Sequence, residues 1–369
     1  MTKSVVMIKC LVWDLDNTLW QGTLLDGDHV RVSDAVRETI VKLDTRGILH
    51  SVASRNDHEI AWKCMEELGI AEYFVQSEIG WGPKSDSVRR IADRLNFAYG
   101  SIAFIDDLPA ERAEVSFHLP DVQCYSAEQA SMLSEFPEFS PAVATVDSRH
   151  RRQMYQATFR RDAERANFTG PDEEFLRSLE LVMRIKRATE EDLSRVEELT
   201  VRTSQMNATG VHYSARTLRG LLADPRHDIL VITLADRFGT HGAAGIALLG
   251  KHPGVWHLKL LATSCRVVSF GAGSTILNWL IDQASLARVH LVADFRGNDR
   301  NRIMEIAYRF AGFSQQPCAC QIRIAQHSNH LGVQRLHLEP VRRRESTVIK
   351  IVAPQLAEGC DHSERSAYG

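Results

Sequence analysis

Lys9–Trp20, KCLVWDLDNTLW, is the stretch whose reading decides the fold. Val6, Met7 and Ile8 lead into Cys10, Leu11, Val12 and Trp13, a nearly continuous apolar run. A run without alternation marks a central parallel strand covered on both faces. It ends abruptly in two carboxylates, Asp14 and Asp16, followed by Thr18. Alternate side chains of a strand share a face, so both acids are expected to project from the carboxyl edge of the sheet, where α/β proteins gather their chemistry. Two like charges that close call for a cation between them, and oxygen ligands select a hard one such as Mg2+.

The 369 residues exceed one ordinary core, so two domains are expected. Hydrophobic content of 44% and charged content of 25% are those of a soluble globular protein. A net charge of −3 gives no global attraction to nucleic acid or membrane. No apolar run reaches about 18 residues, and the N-terminus carries no secretory h-region, so a cytoplasmic location is expected. Seven scattered cysteines fit a reducing compartment better than a disulfide framework. Cys318-Ala-Cys320 reads as structural, being too tight and too isolated for a zinc site.

Downstream of Trp20, the stretch from Gly22 to Asp28 is short for a cap domain. Ser33 opens a helix to about Arg46, with Val36, Ile40 and Leu43 at helical spacing and Gly47 as its stop. A strand from Ile48 to Ala53 delivers Ser54-Arg55-Asn56-Asp57. Here the hydroxyl is either a phosphoryl ligand or, with Asp57, a plain helix N-cap. A helix over 57–68 precedes a short strand at Phe74-Val75. Lys84 then stands at the start of a helix over 85–95, where the dipole disfavours a cation unless an anion lies nearby. Ile102–Ile105 is another apolar strand, ending in the paired acids Asp106 and Asp107.

From about Phe136 the pattern thins. The charged stretch 149–167 reads as a solvated connecting helix, with a basic docking face as the other reading. Beyond it the rhythm changes: a strand at 182–185, an amphipathic helix at 189–202, strands at 229–233, 243–249 and 256–262, a glycine-containing loop, a helix to Ala287, and a strand at 289–295. A helix follows from Asn301 to Phe310.

The motifs of the first half, DLDNT, a strand-end serine, a helix-start lysine and a strand-end DD, resemble in order the four motifs of the haloacid dehalogenase (HAD) phosphotransferases. The resemblance implies Asp14 as nucleophile, Asp16 as general acid and base, and Thr18, Ser54 and Lys84 as phosphoryl-binding groups. It implies Mg2+ held by Asp14, Asp16 through its backbone carbonyl, and Asp106 or Asp107. The second half resembles the GCN5-related N-acetyltransferase (GNAT) fold. Its R-x-x-G-x-G cradle aligns at Arg266 through Gly271, with Ser269 in place of the first glycine, and Tyr308–Phe313 matches the Y-x-x-x-G-F ending. The departure at Ser269 disfavours acetyl-CoA and leaves phosphopantetheine as the alternative occupant.

The expected fold class is therefore α/β: a HAD-like Rossmannoid parallel sheet with a minimal cap (1–140), a helical linker (141–180), an α+β GNAT-like domain (181–353) and a disordered tail (354–369). With GILHSVASRND, IGWGPKSDSVRRIA, FIDDLPAERAEV, SQMNATG and SCRVVS, nearly the whole chain resembles the FkbH-like proteins of the HAD-IIIC subfamily. That resemblance implies a glyceryl unit taken from 1,3-bisphosphoglycerate, dephosphorylated, and loaded as a thioester on an acyl carrier protein for methoxymalonyl-type extender units in polyketide or hybrid peptide biosynthesis.

A cysteine is a plausible acyl carrier in such a reaction. Cys10 reads as core, Cys64 as part of a surface helix and Cys124 as part of a late strand. Cys265, beside Arg266 at a helix start, is either the acyl carrier or a small buried residue at a strand end. Arg55, Asn56, Asn207, His212, Arg266 and Gly271 are the expected substrate- or carrier-binding residues. Two other readings stay open: a simple phosphatase of a small phosphorylated metabolite whose second domain docks a carrier protein, and a non-catalytic carrier-binding scaffold.

Overall fold

The computed structural model describes residues 6–140, 149–202, 206–297, 301–324, 332–343 and 346–357, with the side chains of 198, 201, 202 and 265 left out. The chain forms two compact units, Met1–Phe159 and Arg160–Gly369. The division falls inside the predicted linker.

The first unit is an all-parallel sheet of β1 (Cys10–Trp13), β2 (Leu49–Ser54), β3 (Phe74–Ile79), β4 (Ile102–Asp106) and β5 (Gln123–Ser126), in the order β3-β2-β1-β4-β5. The apolar run thus lies in the middle of the sheet. Leu11 and Trp13 join one buried cluster, Cys10 and Val12 another, because alternate residues face opposite ways. Helices α1 (Asp34–Thr45), α2 (His58–Glu67), α3 (Lys84–Leu95) and α4 (Pro109–His118) connect the strands. Ser33 caps α1 by accepting from the Val36 N–H at 3.3 Å, and Asp57 caps α2 by accepting from the Ile60 N–H at 3.0 Å.

Where the short cap was expected there is a 3-10 turn, Leu24–Asp26, and an isolated pairing of Gln21 with Arg31. The strand expected at Phe74-Val75 runs on to Ile79. As an edge strand, β3 leaves Gln76, Ser77 and Glu78 half-exposed, so their polarity hid it.

The second unit is a seven-stranded mixed sheet of β6 (Leu181–Arg187), β7 (His227–Asp236), β8 (Gly239–His252), β9 (Val255–Thr263), β10 (His290–Phe295), β11 (Gln334–Leu338) and β12 (Ile349–Val352). Its order is β11-β10-β9-β8-β7-β6-β12. The β9–β10 and β6–β12 pairs are parallel and the others antiparallel. The helix Ala272–Leu286 lies against the main core on one face, with Ile276, Leu280 and Ile281 fully buried.

Two expectations need correction. The helix Arg151–Asn167 is not simply solvated. Within the first unit Met154 and Ala157 are buried, and Arg152 pairs with Asp44 at 3.0 Å while lying over the Tyr73 ring. Arg152 is thus a partnered cation with a packed stem. The tail, predicted disordered from residue 354, is ordered through 357. Leu356 is buried in the second core, and its N–H donates to Gln283 Oε1 at 2.9 Å. Residues 358–369 lie outside the described residues. No helix among the described residues is long and apolar enough to cross a membrane.

Candidate active site

Parallel pairing brings the strand-end residues together. Trp13 stands beside Val52 on β2 and Ile105 on β4, so the next residues along, Asp14, Ala53-Ser54 and Asp106, meet at the carboxyl edge. The Asp14 N–H donates to the Ile105 carbonyl at 3.0 Å, which continues the β1–β4 ladder to the acid itself. Pro83 precedes α3 and Lys84 is its first residue, aimed back over that edge.

Lys84 is 3% exposed, and its ammonium donates to three acceptors: an Asp14 carboxylate oxygen, Asp106 Oδ2 at 3.1 Å and the Ala53 carbonyl at 2.9 Å. Lysine at a helix start is electrostatically disfavoured by itself, and these anions reverse the balance. Burial works against the ammonium, but Asp14 and Asp106 outweigh it and hold its pKa above the ordinary value. Burial pushes Asp14 up to about 6 despite the opposing pull of Lys84, with Asp106 adding to the rise. Asp107 is also raised, by burial first and then by Asp106.

Carboxylate oxygens of Asp14, Asp106 and Asp107 lie within 4.8 Å of one another. Three hard oxygen donors on one sheet edge fit a divalent cation such as Mg2+. Several contacts fix them. The Leu108 N–H donates to Asp106 Oδ1 at 2.8 Å, and the Asp107 N–H donates to Thr18 Oγ1 at 2.9 Å. Arg112 donates to the carbonyls of both Asp106 and Asp107, at 2.6 and 2.8 Å.

The Asp16 carboxylate is held apart from this group. Its Oδ1 accepts from the Trp20 indole at 2.8 Å and the Leu24 N–H at 3.0 Å, and its Oδ2 accepts from Asn56 Nδ2 at 3.0 Å. Asn56, expected to touch substrate, is 1% exposed and positions Asp16. Arg55 pairs with Glu111 at 2.6 Å, and Glu111 is raised by burial first, with its Oε2 unpartnered among the described residues. Ser54 is buried at the end of β2 beside the cluster. Trp20, Arg112 and Glu111 went unrecognised in the sequence, because each acts through a neighbour that only folding supplies.

Of the expected second-unit residues, Asn207 and His212 both reach Thr200, Asn207 Nδ2 donating to its carbonyl at 3.3 Å. Asn207 is buried and holds a turn, its Oδ1 accepting from the N–H groups of Thr209 and Gly210 at 3.0 and 2.7 Å. His212 Nδ1 lies 2.9 Å from Thr200 Oγ1, on a half-exposed ring. Arg266 is exposed within a 3-10 turn, Cys265–Phe270, and Gly271 closes that turn at φ 72° before the long helix. The Cys265 side chain lies outside the described residues. Cys10 is fully buried, donates to Ser51 Oγ at 3.5 Å and is pushed up to about 12 by burial, consistent with a core thiol.

No family model matches the chain. Over 127 residues it is 29% identical to human magnesium-dependent phosphatase 1, covering 29% of this chain and 72% of the human protein. It is 28% identical to a crystal structure of the N-terminal part of a Bacteroides fragilis protein containing a phosphatase domain complexed with Mg. That match has a TM-score of 0.33 and covers 36% of this chain and 40% of the other. Over 45% of its length the chain is similar to the ribosomal-protein-S18-alanine N-acetyltransferase of Escherichia coli, at 16% identity and a TM-score of 0.32, covering 98% of that enzyme.

Proposed function

We propose that the first unit is a Mg2+-dependent phosphotransferase of the HAD type, with Asp14 as nucleophile. The carrying observation is the meeting of Asp14, Lys84 and Asp106 at one buried point, although Lys84 is 70 residues from Asp14 and 22 from Asp106 in the chain. A scaffold has no use for a buried lysine shared by two aspartates.

An Asp14 carboxylate oxygen attacks phosphorus in line as the bond to the substrate oxygen breaks. Asp16, aimed by Trp20, Asn56 and the Leu24 N–H, gives the departing oxygen its proton. It then takes a proton from the water that hydrolyses the aspartyl phosphate and restores Asp14. Lys84 offsets charge on both nucleophile and phosphoryl group, and Ser54 stands at the edge where the equatorial oxygens collect. Mg2+ held by Asp14, Asp106, Asp107 and the Asp16 carbonyl would supply Lewis-acid neutralisation of the phosphoryl oxygens.

The resemblance to the FkbH-like proteins supports a finer reading. The substrate is 1,3-bisphosphoglycerate, and the glyceryl unit passes through a cysteine thioester, at Cys265, to the phosphopantetheine thiol of an acyl carrier protein for extender-unit synthesis. The thiolate attacks the C1 carbonyl and the C1 phosphate leaves; the 3-phosphoryl group goes to Asp14. The similarity to magnesium-dependent phosphatase 1 favours a second reading, a plain phosphatase.

One assay distinguishes them: 1,3-bisphosphoglycerate, Mg2+ and a holo carrier protein, followed by carrier mass and free phosphate. A glyceryl increment on the carrier supports the finer reading. Phosphate release without it leaves the phosphatase. Neither product defeats both. Asp14→Asn is expected to abolish release of the 3-phosphate, and unchanged loading by Cys265→Ala would remove that cysteine from the scheme.

A further inference from the structure

The second unit contains a cluster that neither phosphoryl nor acyl transfer uses. His290 opens β10 and His337 lies on β11, its antiparallel neighbour. Val292 pairs with His337, and His290 is two residues before Val292, so the two imidazoles share a face and stand diagonally across the ladder. His290 Nδ1 is 2.9 Å from His337 Nε2. The chain then leaves Phe313 and returns over this face with Cys318 and Cys320. Cys318 Sγ lies 3.4 Å from the same Nδ1. One ligand atom from each of the four residues falls within a sphere of mutual distances no greater than 4.8 Å, and none of the four residues is exposed.

We propose that His290, Cys318, Cys320 and His337 form a structural Zn2+ site. Tetrahedral zinc with Zn–S bonds of about 2.3 Å and Zn–N bonds of about 2.0–2.1 Å sets N···N near about 3.3 Å and N···S near about 3.6 Å. The two measured separations lie within a few tenths of an ångström of these. Two thiolates and two imidazoles are a soft, nitrogen-and-sulfur donor set, unlike the all-oxygen cluster of the first unit, so the two sites select different metals. Four protein ligands leave no open position, which makes the role structural. Binding releases the two thiol protons to solvent.

The fold supplies a reason for the ion. The stretch between Phe313 and β11 has only a 3-10 turn, Ala319–Arg323, as regular structure among its described residues. Its described part meets the sheet through a core of three buried residues, Val255, Val292 and Ile324, with Cys320 against them, while Ile322 is 86% exposed. Ser314 pairs with His337 at the start of this covering stretch and Arg323 donates to the Pro253 carbonyl at its far side, and a metal clip to β10 and β11 would fix the residues between them.

The test uses the full chain, reduced, stripped of metal and titrated with Co2+ in excess Mg2+. One cobalt per chain is expected to give intense visible d–d bands and a near-ultraviolet thiolate-to-cobalt charge-transfer band, both displaced by one equivalent of Zn2+. Cys318→Ser and Cys320→Ser should each lose most of the charge-transfer intensity. In the unaltered chain, Zn2+ should slow iodoacetamide labelling of Cys318 and Cys320 at least 10-fold, a readout that needs no variant to fold. Absence of the charge-transfer band, its persistence in both serine variants, or unchanged labelling of the two thiols would overturn the site. So would a Cys318–Cys320 disulfide that persists in the reduced chain.

Discussion

Lys84 shows how one residue carries both stability and chemistry. Its ammonium lies between Asp14 and Asp106, all three buried, so removing the cation leaves two uncompensated buried carboxylates. Lys84→Met is expected to destabilise the metal-free chain by about 3–5 kcal/mol, read from chemical denaturation in chelator, with part restored by Mg2+. Asn56 acts at one remove from the chemistry. Asn56→Ala frees Asp16 Oδ2, and kcat should fall roughly 10-fold, about 1.4 kcal/mol, with KM nearly unchanged. A larger change in KM than in kcat would instead place Asn56 against substrate. Lys84 was readable from its place at a helix start. Asn56 was legible as a polar residue at a strand exit but not as the partner of Asp16, because that contact joins residues 40 apart.

Among the elements, β2 carries an unusual load: His50, fully buried between β1 and α1. The Trp13 indole donates to His50 Nδ1 at 3.0 Å, so the ring proton sits on Nε2 and is given to the Ile40 carbonyl at 3.1 Å. Burial lowers its pKa from 6.5 to about 4. The folded state therefore binds this proton less readily than the unfolded chain. The contribution to stability is complete above pH 6.5 and is lost as pH falls toward about 4, some 3 kcal/mol in all, roughly. Asp14, raised to about 6, titrates in the opposite sense over much of that range. The measurement is therefore the difference in unfolding free energy between the parent and His50→Gln, which should shrink steadily from pH 7 to pH 4. A pH-independent difference would mean that His50 takes up its proton as readily in the folded state as in the unfolded chain.

For the whole molecule, each unit has its own buried clusters, so a ligand of one should move one transition. Mg2+ at about 100 times its dissociation constant should stabilise the first unit by about 2.7 kcal/mol in calorimetry, and Asp14→Asn should remove that shift. The sequence by itself determined the strands that end in acids, the order of the four phosphoryl motifs and the change of rhythm that separates two folds, since these are local matters of apolar runs, caps and spacing. Tertiary structure alone decided the rest. The half-exposed β3, the partnered helix Arg151–Asn167 and the anchored Leu356 depend on what lies alongside them. Cys318 and Cys320 looked isolated because their histidines are remote in sequence: His290 is 28 residues before Cys318 and 47 before His337. Only the pairing of β10 with β11 and the return of the chain across that face bring the four together, and no local pattern encodes a contact made by a sheet.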